Sequence, residues 1–390
     1  MKIAFFSNYL SPHQIPFSEE MYNLIGENYS FIACVPFNAN RKKMGWEPNE
    51  KRPYELRPYE SGLAYVKAMD LAENCDIMIW GSSNYEFIKT RIKSGKISVR
   101  YSERLFKQGF LTSIRTLDIL RQIKFNLATR SKNAFLFCAS AYSPFDFLCS
   151  LGHFRQRYKW GYYPKTLCYD IEQLMNKKSV SDEVSILWAG RMIPLKHPEI
   201  AINLADCLRN RGIKFSLRLI GSGELETEIK KSINSKQLTE HVKLLGAMSP
   251  EKVRIHMEQS DFFLFTSDFN EGWGAVLNES MNSGCVVMCS DEAGAAHYLI
   301  EDGKNGFLFK RNQQDKLVDM VISLVNNPEK RREIGTSAYE TIANLWSEKI
   351  AAERFCAWAK DIVKDKIVLF PEGPMSKAKI RVPKGSWWIK

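Results

Sequence analysis

Short apolar runs alternate with helical patterns along most of the chain. In the first half, apolar runs predict strands at residues 3–7, 31–35, 77–80, 98–101, 134–139 and 158–163. Helical spacing predicts helices at residues 16–25, 85–93 and 112–129. Strands separated by helices indicate right-handed crossovers and a parallel sheet.

A second series of the same kind begins at residue 184. Its apolar runs predict strands at residues 184–189, 215–220, 242–245, 262–265, 286–289 and 306–309. The polar stretch 168–183 predicts a linker between the two series. We therefore expect an α/β protein with two doubly wound parallel sheets facing a cleft, the first domain spanning residues 1–170 and the second 171–346. Ligands of such sheets bind beyond the carboxyl ends of the strands.

Composition indicates a cytoplasmic protein. Hydrophobic residues make up 45% of the 390 residues and charged residues 25%, which is ordinary for a globular chain. The apolar runs are far shorter than the ~20 residues that span a bilayer. The first residues predict a strand rather than a signal peptide. Nine scattered cysteines, an odd number, are typical of reduced thiols.

The net charge of +11 is concentrated in two segments. Residues 86–132 hold 12 Lys and Arg against 3 acidic residues, and residues 360–390 hold 8 against 3. Phosphate-bearing substrates, anionic lipid and nucleic acid are all compatible with such segments. Because no nucleic-acid recognition motif accompanies the charge, nucleic acid is the weakest of these candidates.

A basic loop follows the predicted strand at 184–189. Gly190 permits a sharp exit from the strand, and Arg191 and Lys196 then lie in one loop at the carboxyl edge of a sheet. An Arg fork together with a Lys point charge suits a diphosphate. A solvated basic loop is the alternative.

Glycines mark two further strand-to-helix turns. Gly221 and Gly223 follow the strand at 215–220, where they allow backbone to approach a ligand or simply serve the turn. The third glycine of a dinucleotide fingerprint is missing. Gly246 and Met248 form a similar turn, where a flat base could lie on backbone groups.

The stretch 268–283 is the most informative in the chain. An apolar run is followed by a short segment made of Glu271, Gly272, Trp273 and Gly274. A helical pattern that carries Glu279 comes next. Backbone N–H groups at the start of that helix suit an anionic ligand. If both glutamates were helical, about 12 Å would separate them. That spacing fits a long ligand better than a hydrolytic carboxylate pair, which lies about 5 to 9.5 Å apart.

In this order, the motifs resemble the C-terminal domain of the family-4 retaining glycosyltransferases, which have the GT-B fold of two Rossmann-like domains. The resemblance is strong over residues 184–310 and looser before them. It implies transfer of a hexose from a nucleotide-sugar donor with retained anomeric configuration, and no metal or other cofactor. The implied catalytic residues are Arg191 and Lys196 on the diphosphate and Glu271 on the sugar. The implied donor-binding residues are Gly190, Gly221, Gly223, Gly246, Met248, Gly272, Trp273, Gly274 and Glu279, with Glu279 on the ribose.

The sequence itself also favours a metal-free site. It contains no Asp-x-Asp, the usual carboxylate handle for a metal-bound diphosphate. Lys and Arg would then neutralise the leaving group, an effect worth several kcal/mol of barrier.

The first half departs from the family pattern because its first loop lacks glycine. His13 is a candidate for contact with acceptor or donor sugar, or an ordinary histidine at a helix start. Glu103 could orient the acceptor hydroxyl, or pair with Arg104. In retaining transfer the departing phosphate can itself take the acceptor proton, so no protein base is required.

Two segments suggest a visit to the cytoplasmic face of the plasma membrane. The predicted helix at 110–129 is basic and amphipathic, which suits either an anionic membrane or core packing with a solvated face. The tail at 377–390 adds basic residues and the pair Trp387 and Trp388. The resemblance implies that a helix at 347–364, within the segment 347–390, crosses back to the first domain.

These patterns predict a glycosyltransferase of surface polysaccharide biosynthesis, moving a sugar from a UDP- or GDP-linked donor to a glycan or lipid-linked acceptor. Two alternatives remain open. One is a sugar-nucleotide epimerase of similar architecture, and the other is a catalytically silent nucleotide-binding partner protein.

Overall fold

A computed structural model describes residues 1–39, 50–114, 117–178 and 183–388. The chain forms two compact units. The first comprises Met1–Lys165 together with Trp346–Lys390, and the second comprises Thr166–Leu345.

The first unit is built on a parallel sheet. Its described strands are β1 (Ile3–Ser7), β2 (Tyr29–Ala33), β3 (Glu55–Leu56), β4 (Ile77–Trp80), β5 (Ser98–Ser102), β6 (Ala134–Cys138) and β7 (Gln156–Lys159). Their order is β3-β2-β1-β4-β5-β6-β7. Strands β1, β4 and β6 are buried throughout, as expected for strands covered on both faces.

Helices connect these strands. They are α1 (Ile15–Ile25), α2 (Gly62–Asn74), α3 (Tyr85–Lys93), α4 (Phe110–Ile114), α5 (Leu117–Ala128) and α6 (Ser143–Cys149). Proline occupies the first turn of α1 and of α6, where its missing N–H costs nothing. Ser61 caps α2 by accepting a hydrogen bond from the Ala64 amide at 3.1 Å.

The end of the chain completes the first unit. The last long helix, α15 (Glu348–Ile362), packs against α1. Beyond it, the extended chain covers the outer edge of β7: the Lys159 amide donates to Ser376 O at 2.8 Å and the Ala378 amide to Arg157 O at 3.0 Å. This pairing satisfies backbone groups that an open sheet edge would leave exposed.

The second unit has its own parallel sheet. Its described strands are β8 (Val184–Ala189), β9 (Phe215–Ile220), β10 (Val242–Leu244), β11 (Phe262–Phe265), β12 (Val286–Ser290) and β13 (Phe307–Phe309). Their order is β10-β9-β8-β11-β12-β13. The helices are α7 (Ile171–Lys178), α8 (Glu199–Asn210), α9 (Glu226–Ser235), α10 (Pro250–Glu258), α11 (Ala275–Asn282), α12 (Ala296–Leu299), α13 (Gln314–Val325) and α14 (Pro328–Asn344).

Each sheet has a point at which the strand order changes direction. In the first sheet this point lies between β1 and β4, and in the second between β8 and β11. The loops that leave adjacent strands there diverge to opposite sides of the sheet, which opens a crevice for a ligand. Functional side chains are therefore expected at these two places.

The expectation of parallel α/β sheets is confirmed, and several elements differ from the prediction. The predicted linker at 168–183 contains α7, because Leu174 and Met175 are buried. The last strand of the first unit is Gln156–Lys159 rather than 158–163. Within the predicted helix 112–129, residues 115 and 116 lie outside the described part. Helices α2 and α6 were missed.

Candidate functional site

The loops after β8 and β11 are tied together by hydrogen bonds. The Thr266 hydroxyl donates to Lys196 O at 2.5 Å and accepts from Trp188 Nε1 at 2.9 Å. The Asp268 amide donates to Leu195 O at 2.9 Å. These bonds hold the two loops at fixed positions where the strand order changes direction.

Lys196 and Glu271 form an ion pair at this point. Each side chain is only 15% exposed. The Ser267 hydroxyl donates to Glu271 Oε2 at 3.1 Å, and Lys196 Nζ lies 5.5 Å from the centre of the Phe265 ring. The sequence suggested that these two residues touch different parts of a ligand, and the structure additionally joins them to each other. A partly buried carboxylate and ammonium therefore share one polar centre.

Arg191 differs from Lys196 in its surroundings. Its side chain is exposed, and no described residue forms an ion pair or a side-chain hydrogen bond with it. All of its guanidinium donors are therefore available to an anionic ligand.

The glycines of the neighbouring loops allow close backbone contact. A Cβ atom on Gly221 would lie 1.8 Å from Gly190 O, and one on Gly223 would lie 2.4 Å from Met192 O. Gly221 and Gly223 are thus required for the packing of the β9 loop on the β8 loop. The Gly221 amide also donates to Gly246 O at 2.8 Å, which links in the loop after β10.

The segment before α11 has a sharp turn. Gly274 has φ of 95°, and a Cβ atom there would lie 2.3 Å from the Phe265 ring. No side chain caps α11, so the amides of its first turn and the positive end of its dipole are available. The neighbouring Gly272 is buried. Trp273 is buried as well, with its Nε1 donating to Asn278 Oδ1 at 2.9 Å, so its ring does not reach a ligand in this conformation.

Glu279 lies in the middle of α11 and is partly buried. Burial raises the pKa of its carboxyl group, and the nearby Arg254 opposes this in part. Among the described residues, none hydrogen-bonds to its carboxylate. Glu271 precedes the helix rather than belonging to it, so the 12 Å separation calculated for two helical residues does not apply. Met248 is partly buried just before α10.

A second charged group next to this pair was missed by the sequence reasoning. His197 has a left-handed backbone, with φ of 47°, and its Nδ1 lies 2.7 Å from Glu199 Oε1. Its Nε2 lies 3.5 Å from Asp268 Oδ2 and 2.8 Å from Arg311 Nη1. Burial lowers the pKa of His197, but the bonds to Asp268 and Glu199 outweigh it and raise the value to about 8. Arg311 carried no sequence signal, since it follows a strand in an ordinary polar loop.

The acceptor candidates of the first unit both approach Tyr162. The His13 and Tyr162 rings have centroids 6.2 Å apart. The Tyr162 hydroxyl hydrogen-bonds to Glu103, and burial followed by that charge raises the pKa of Tyr162. Glu103 is also ion-paired with Lys107. The alternative partner, Arg104, is instead buried against Asp146.

Arg104 belongs to a cluster that includes the end of the chain. Its Nε lies 3.4 Å from Asp146 Oδ2, and its Cζ lies 4.9 Å from the centre of the Trp387 ring. Trp387 is 1% exposed and donates to Phe106 O at 2.9 Å. Because this side chain is buried, the suggestion that both tail tryptophans reach a membrane interface is wrong for Trp387.

Two other kinds of site are absent from the described ranges. They contain no group of three or more His, Cys, Asp and Glu side chains arranged to hold a metal ion. They also contain no helix that is both long and apolar enough to span a bilayer.

Comparison with known proteins identifies the second unit. Residues 170–341 match the family described as "Glycosyl transferases group 1". The glycosyltransferase MJ1178 of Methanocaldococcus jannaschii is 31% identical over 154 residues, 40% of this chain and 42% of that protein. The poly(ribitol-phosphate) alpha-N-acetylglucosaminyltransferase of Staphylococcus aureus is 29% identical over 167 residues, 43% of this chain and 33% of that protein. The matches thus span less than half of these relatives.

The fold comparison extends over nearly the whole chain. Anabaena HepE, solved in complex with UDP, superposes with a TM-score of 0.65 at 17% identity, covering 92% of this chain and 99% of that chain. Residues 170–341 are therefore similar to the glycosyl transferases group 1 family, in a chain that has the GT-B fold.

Proposed function

We propose that this protein is a metal-independent, retaining glycosyltransferase of family 4. It would move a hexose from a UDP- or GDP-linked donor to a glycan or lipid-linked acceptor in surface polysaccharide biosynthesis. The observation that carries the proposal is the ion pair of Lys196 and Glu271 at the point where the second sheet changes direction, with the exposed Arg191 in the same loop as Lys196.

Arg191 and Lys196 would hold the donor diphosphate. The fork of Arg191 suits two phosphate oxygens, and Lys196 supplies a point charge beside it. As the bond between sugar and phosphate breaks, negative charge accumulates on the leaving group, and preorganised cations stabilise it. No metal or cofactor is needed for this role.

The remaining donor contacts would follow from the loops around this pair. Glu271 and the backbone at Gly272 and Gly274 would hold the sugar hydroxyl groups, close to the positive end of α11. Glu279, whose carboxylate has no hydrogen-bonding partner among the described residues, would accept the ribose hydroxyls. The loop carrying Gly246 and Met248 would support the base.

The first unit would bind the acceptor. Glu103, His13 and the Tyr162 hydroxyl offer hydrogen-bonding groups of both kinds to a sugar hydroxyl. The leaving phosphate can accept the proton of that hydroxyl, so none of the three needs to be a general base.

Thermal protection by a panel of sugar nucleotides tests the donor assignment. A donor present at 100 times its Kd raises the free energy of unfolding by about 2.7 kcal/mol. A panel that contains both UDP-sugars and GDP-sugars should identify one base and one sugar. The protein is then incubated with the protecting donor, a candidate acceptor and a chelator. NMR of the product reports the anomeric configuration. Protection by no sugar nucleotide, or an inverted product, would contradict the proposal.

We also propose that the protein works at the cytoplasmic face of the plasma membrane, in contact with anionic lipid. Leu120 and Leu127 of α5 are 61% and 48% exposed, on a helix that also exposes Arg121 and Lys124. A surface combining apolar and basic side chains binds anionic membranes. Leu120→Gln together with Leu127→Gln should weaken binding to anionic vesicles. The pair Leu63→Gln and Val66→Gln on α2 is the matched control. Equal binding to neutral vesicles would refute the contact.

A further inference from the structure

Polar atoms without partners gather at one corner of the first sheet. Arg100 of β5 lies opposite Trp80, the last residue of β4. Its guanidinium stacks on the Trp80 ring, with Cζ 4.3 Å from the ring centre, and its Nη1 donates to Gly81 O at 2.7 Å. Its Nε is buried and has no hydrogen-bond partner.

Arg100 also has no counter-charge among the described residues. Burial lowers its pKa to about 10, which still leaves the guanidinium charged at neutral pH. A buried charge without a partner is costly. Stacking on an aromatic ring offsets only part of that cost. The neighbouring Arg104 is different because Asp146 compensates it.

Ser83 provides a second, independent observation at the same corner. Its amide donates at 3.1 Å to Gly81 O, the same oxygen that Arg100 contacts. Its hydroxyl oxygen is buried and has no partner. Both residues lie beside the end of β4, where the strand order of the first sheet changes direction. This is the place at which such sheets bind ligands.

We propose that Arg100 and Ser83 form a binding site for an anionic oxygen group, a phosphate ester or a carboxylate, carried by the acceptor. The guanidinium donates from Nε and from its free Nη hydrogens, and the Ser83 hydroxyl donates to another oxygen of the same group. The assignment to the acceptor rests on the proposed transferase function. The anion site itself does not depend on it.

Direct binding of small anions tests the site. Glycerol 3-phosphate and glucuronate, titrated separately at constant ionic strength, represent the phosphate ester and the carboxylate. We expect one of them to bind the wild-type protein. Arg100→Gln should weaken that binding about tenfold or more, and Ser83→Ala about threefold, by loss of charge-assisted hydrogen bonds. Arg211→Ala removes an exposed arginine that pairs with Asp319, and this control should leave the affinity unchanged.

The stability of the variant distinguishes a ligand site from a structural arginine. Without anion, Arg100→Gln should unfold at the same temperature as the wild type or higher, because it removes an uncompensated buried charge. Arg100→Lys keeps the charge without the fork and should show intermediate affinity, which provides a second variant if Arg100→Gln fails to fold. Equal anion affinity in wild type and both Arg100 variants, or no binding to the wild type, would overturn the site.

Turnover kinetics test the link to the acceptor. Arg100→Gln should raise KM about tenfold for an anionic acceptor and leave the donor KM and the KM for a neutral acceptor analogue unchanged. An unchanged KM for the anionic acceptor, with anion binding lost, would overturn the assignment to the acceptor alone. Absence of any transfer by the wild-type protein, with anion binding intact, would instead refute the proposed function.

Discussion

The two cations after β8 are in different electrostatic environments. Lys196 is compensated by Glu271, whereas Arg191 is exposed and has no described partner. Arg191→Ala should therefore lower kcat about 10²-fold, because the negative charge on the leaving group loses a cation that stabilises it. The free energy of unfolding should change by less than about 0.5 kcal/mol.

The matched control for this variant lies in the same unit. Arg211 is also exposed at its side chain and pairs with the exposed Asp319. Arg211→Ala should leave both kcat and stability near wild type. Near-normal turnover in Arg191→Ala, measured with saturating donor and acceptor, would remove Arg191 from the mechanism.

His197 should make the stability of the second unit dependent on pH. Its folded pKa of about 8 lies above its ordinary value of 6.5. The hydrogen bonds to Asp268 and Glu199 favour the protonated form in the folded protein, although Arg311 Nη1, which lies 2.8 Å from Nε2, opposes it. The resulting stabilisation is complete below pH 6.5 and is lost as pH rises through 8. The shift corresponds to roughly 1–2 kcal/mol after allowance for partial exposure.

The measurement compares denaturation curves of the wild type and of a His197 variant at pH 5.5, 7 and 9. His197→Asn removes the titrating group, and Asn tolerates the left-handed backbone. The variant should be less stable than wild type at pH 5.5, and the titratable part of the difference should vanish by pH 9. A difference that stays constant across this range would show that the bonds to Asp268 and Glu199 do not depend on protonation.

Gly221 should be intolerant of any side chain. A Cβ atom there would lie 1.8 Å from the Gly190 carbonyl oxygen, and the backbone φ of 135° disfavours L-residues. Gly212 also has a positive φ, of 69°, but nothing lies within 4 Å of its Cβ position. Gly221→Ala should cost more than about 3 kcal/mol and Gly212→Ala about 1 kcal/mol. Equal losses by chemical denaturation would show that contact between the loops is unimportant.

At the scale of elements, apolar runs predicted the buried strands well. Four strands lie at the predicted residues: Ile77–Trp80, Val184–Ala189, Phe215–Ile220 and Phe262–Phe265. They could be predicted because parallel strands covered on both faces are rich in apolar residues. Edge strands gave a weaker pattern: β3 has two residues, and β7 carries Gln156, Arg157 and Lys159. The helix α2 escaped detection because only Ala68 and Ala72 are buried in it.

Charge counting overestimated the basic surface of the first unit. Within the basic segment 86–132, Arg91 and Arg104 are buried and Arg100 stacks on Trp80. Sequence alone assigns these residues to a surface, since arginine is mostly exposed. Their burial depends on partners distant in sequence, such as Asp146 and the carbonyls at the end of α2.

Arg91 should be essential for joining α2, α3 and β5. Its Nη1 donates to Cys75 O at 2.8 Å, and its Nη2 donates to Asp76 O at 2.8 Å and Ile97 O at 2.6 Å. Arg91→Met removes the guanidinium donors from the carbonyls of Cys75 and Asp76, while Ile97 O keeps the Met78 amide at 3.3 Å, and the variant should cost about 3–5 kcal/mol. Lys93→Met, two residues later and exposed, is the control and should stay within about 0.5 kcal/mol. A similar loss in both variants would indicate that the helix, rather than the guanidinium, is responsible.

At the scale of the whole molecule, the sequence predicted which loops carry the candidate donor residues, but not the contacts between those residues. Loops after strands could be located because strand ends are visible as changes in hydropathy. The contact between Lys196 and Glu271 could not be predicted, since the residues are 75 positions apart and their contact depends on β8 lying beside β11. Tyr162 was missed for the same reason: it meets Glu103 only through the order of β5, β6 and β7.

The return of the chain end to the first unit predicts that the two units can be destabilised separately. Phe355 of α15 is fully buried among aromatic rings of the first unit, including Phe17 and Trp160. Phe355→Ala should cost about 3–5 kcal/mol and speed hydrogen exchange in β1 and β6 about a hundredfold or more. Strands β8 and β11 should keep their protection. Leu317→Ala in α13, buried in the second unit, is the reciprocal control and should affect only β8 and β11. If either variant accelerated exchange equally in both sheets, the chain would unfold as one cooperative body, and the C-terminal segment would stabilise the whole molecule rather than the unit that contains it.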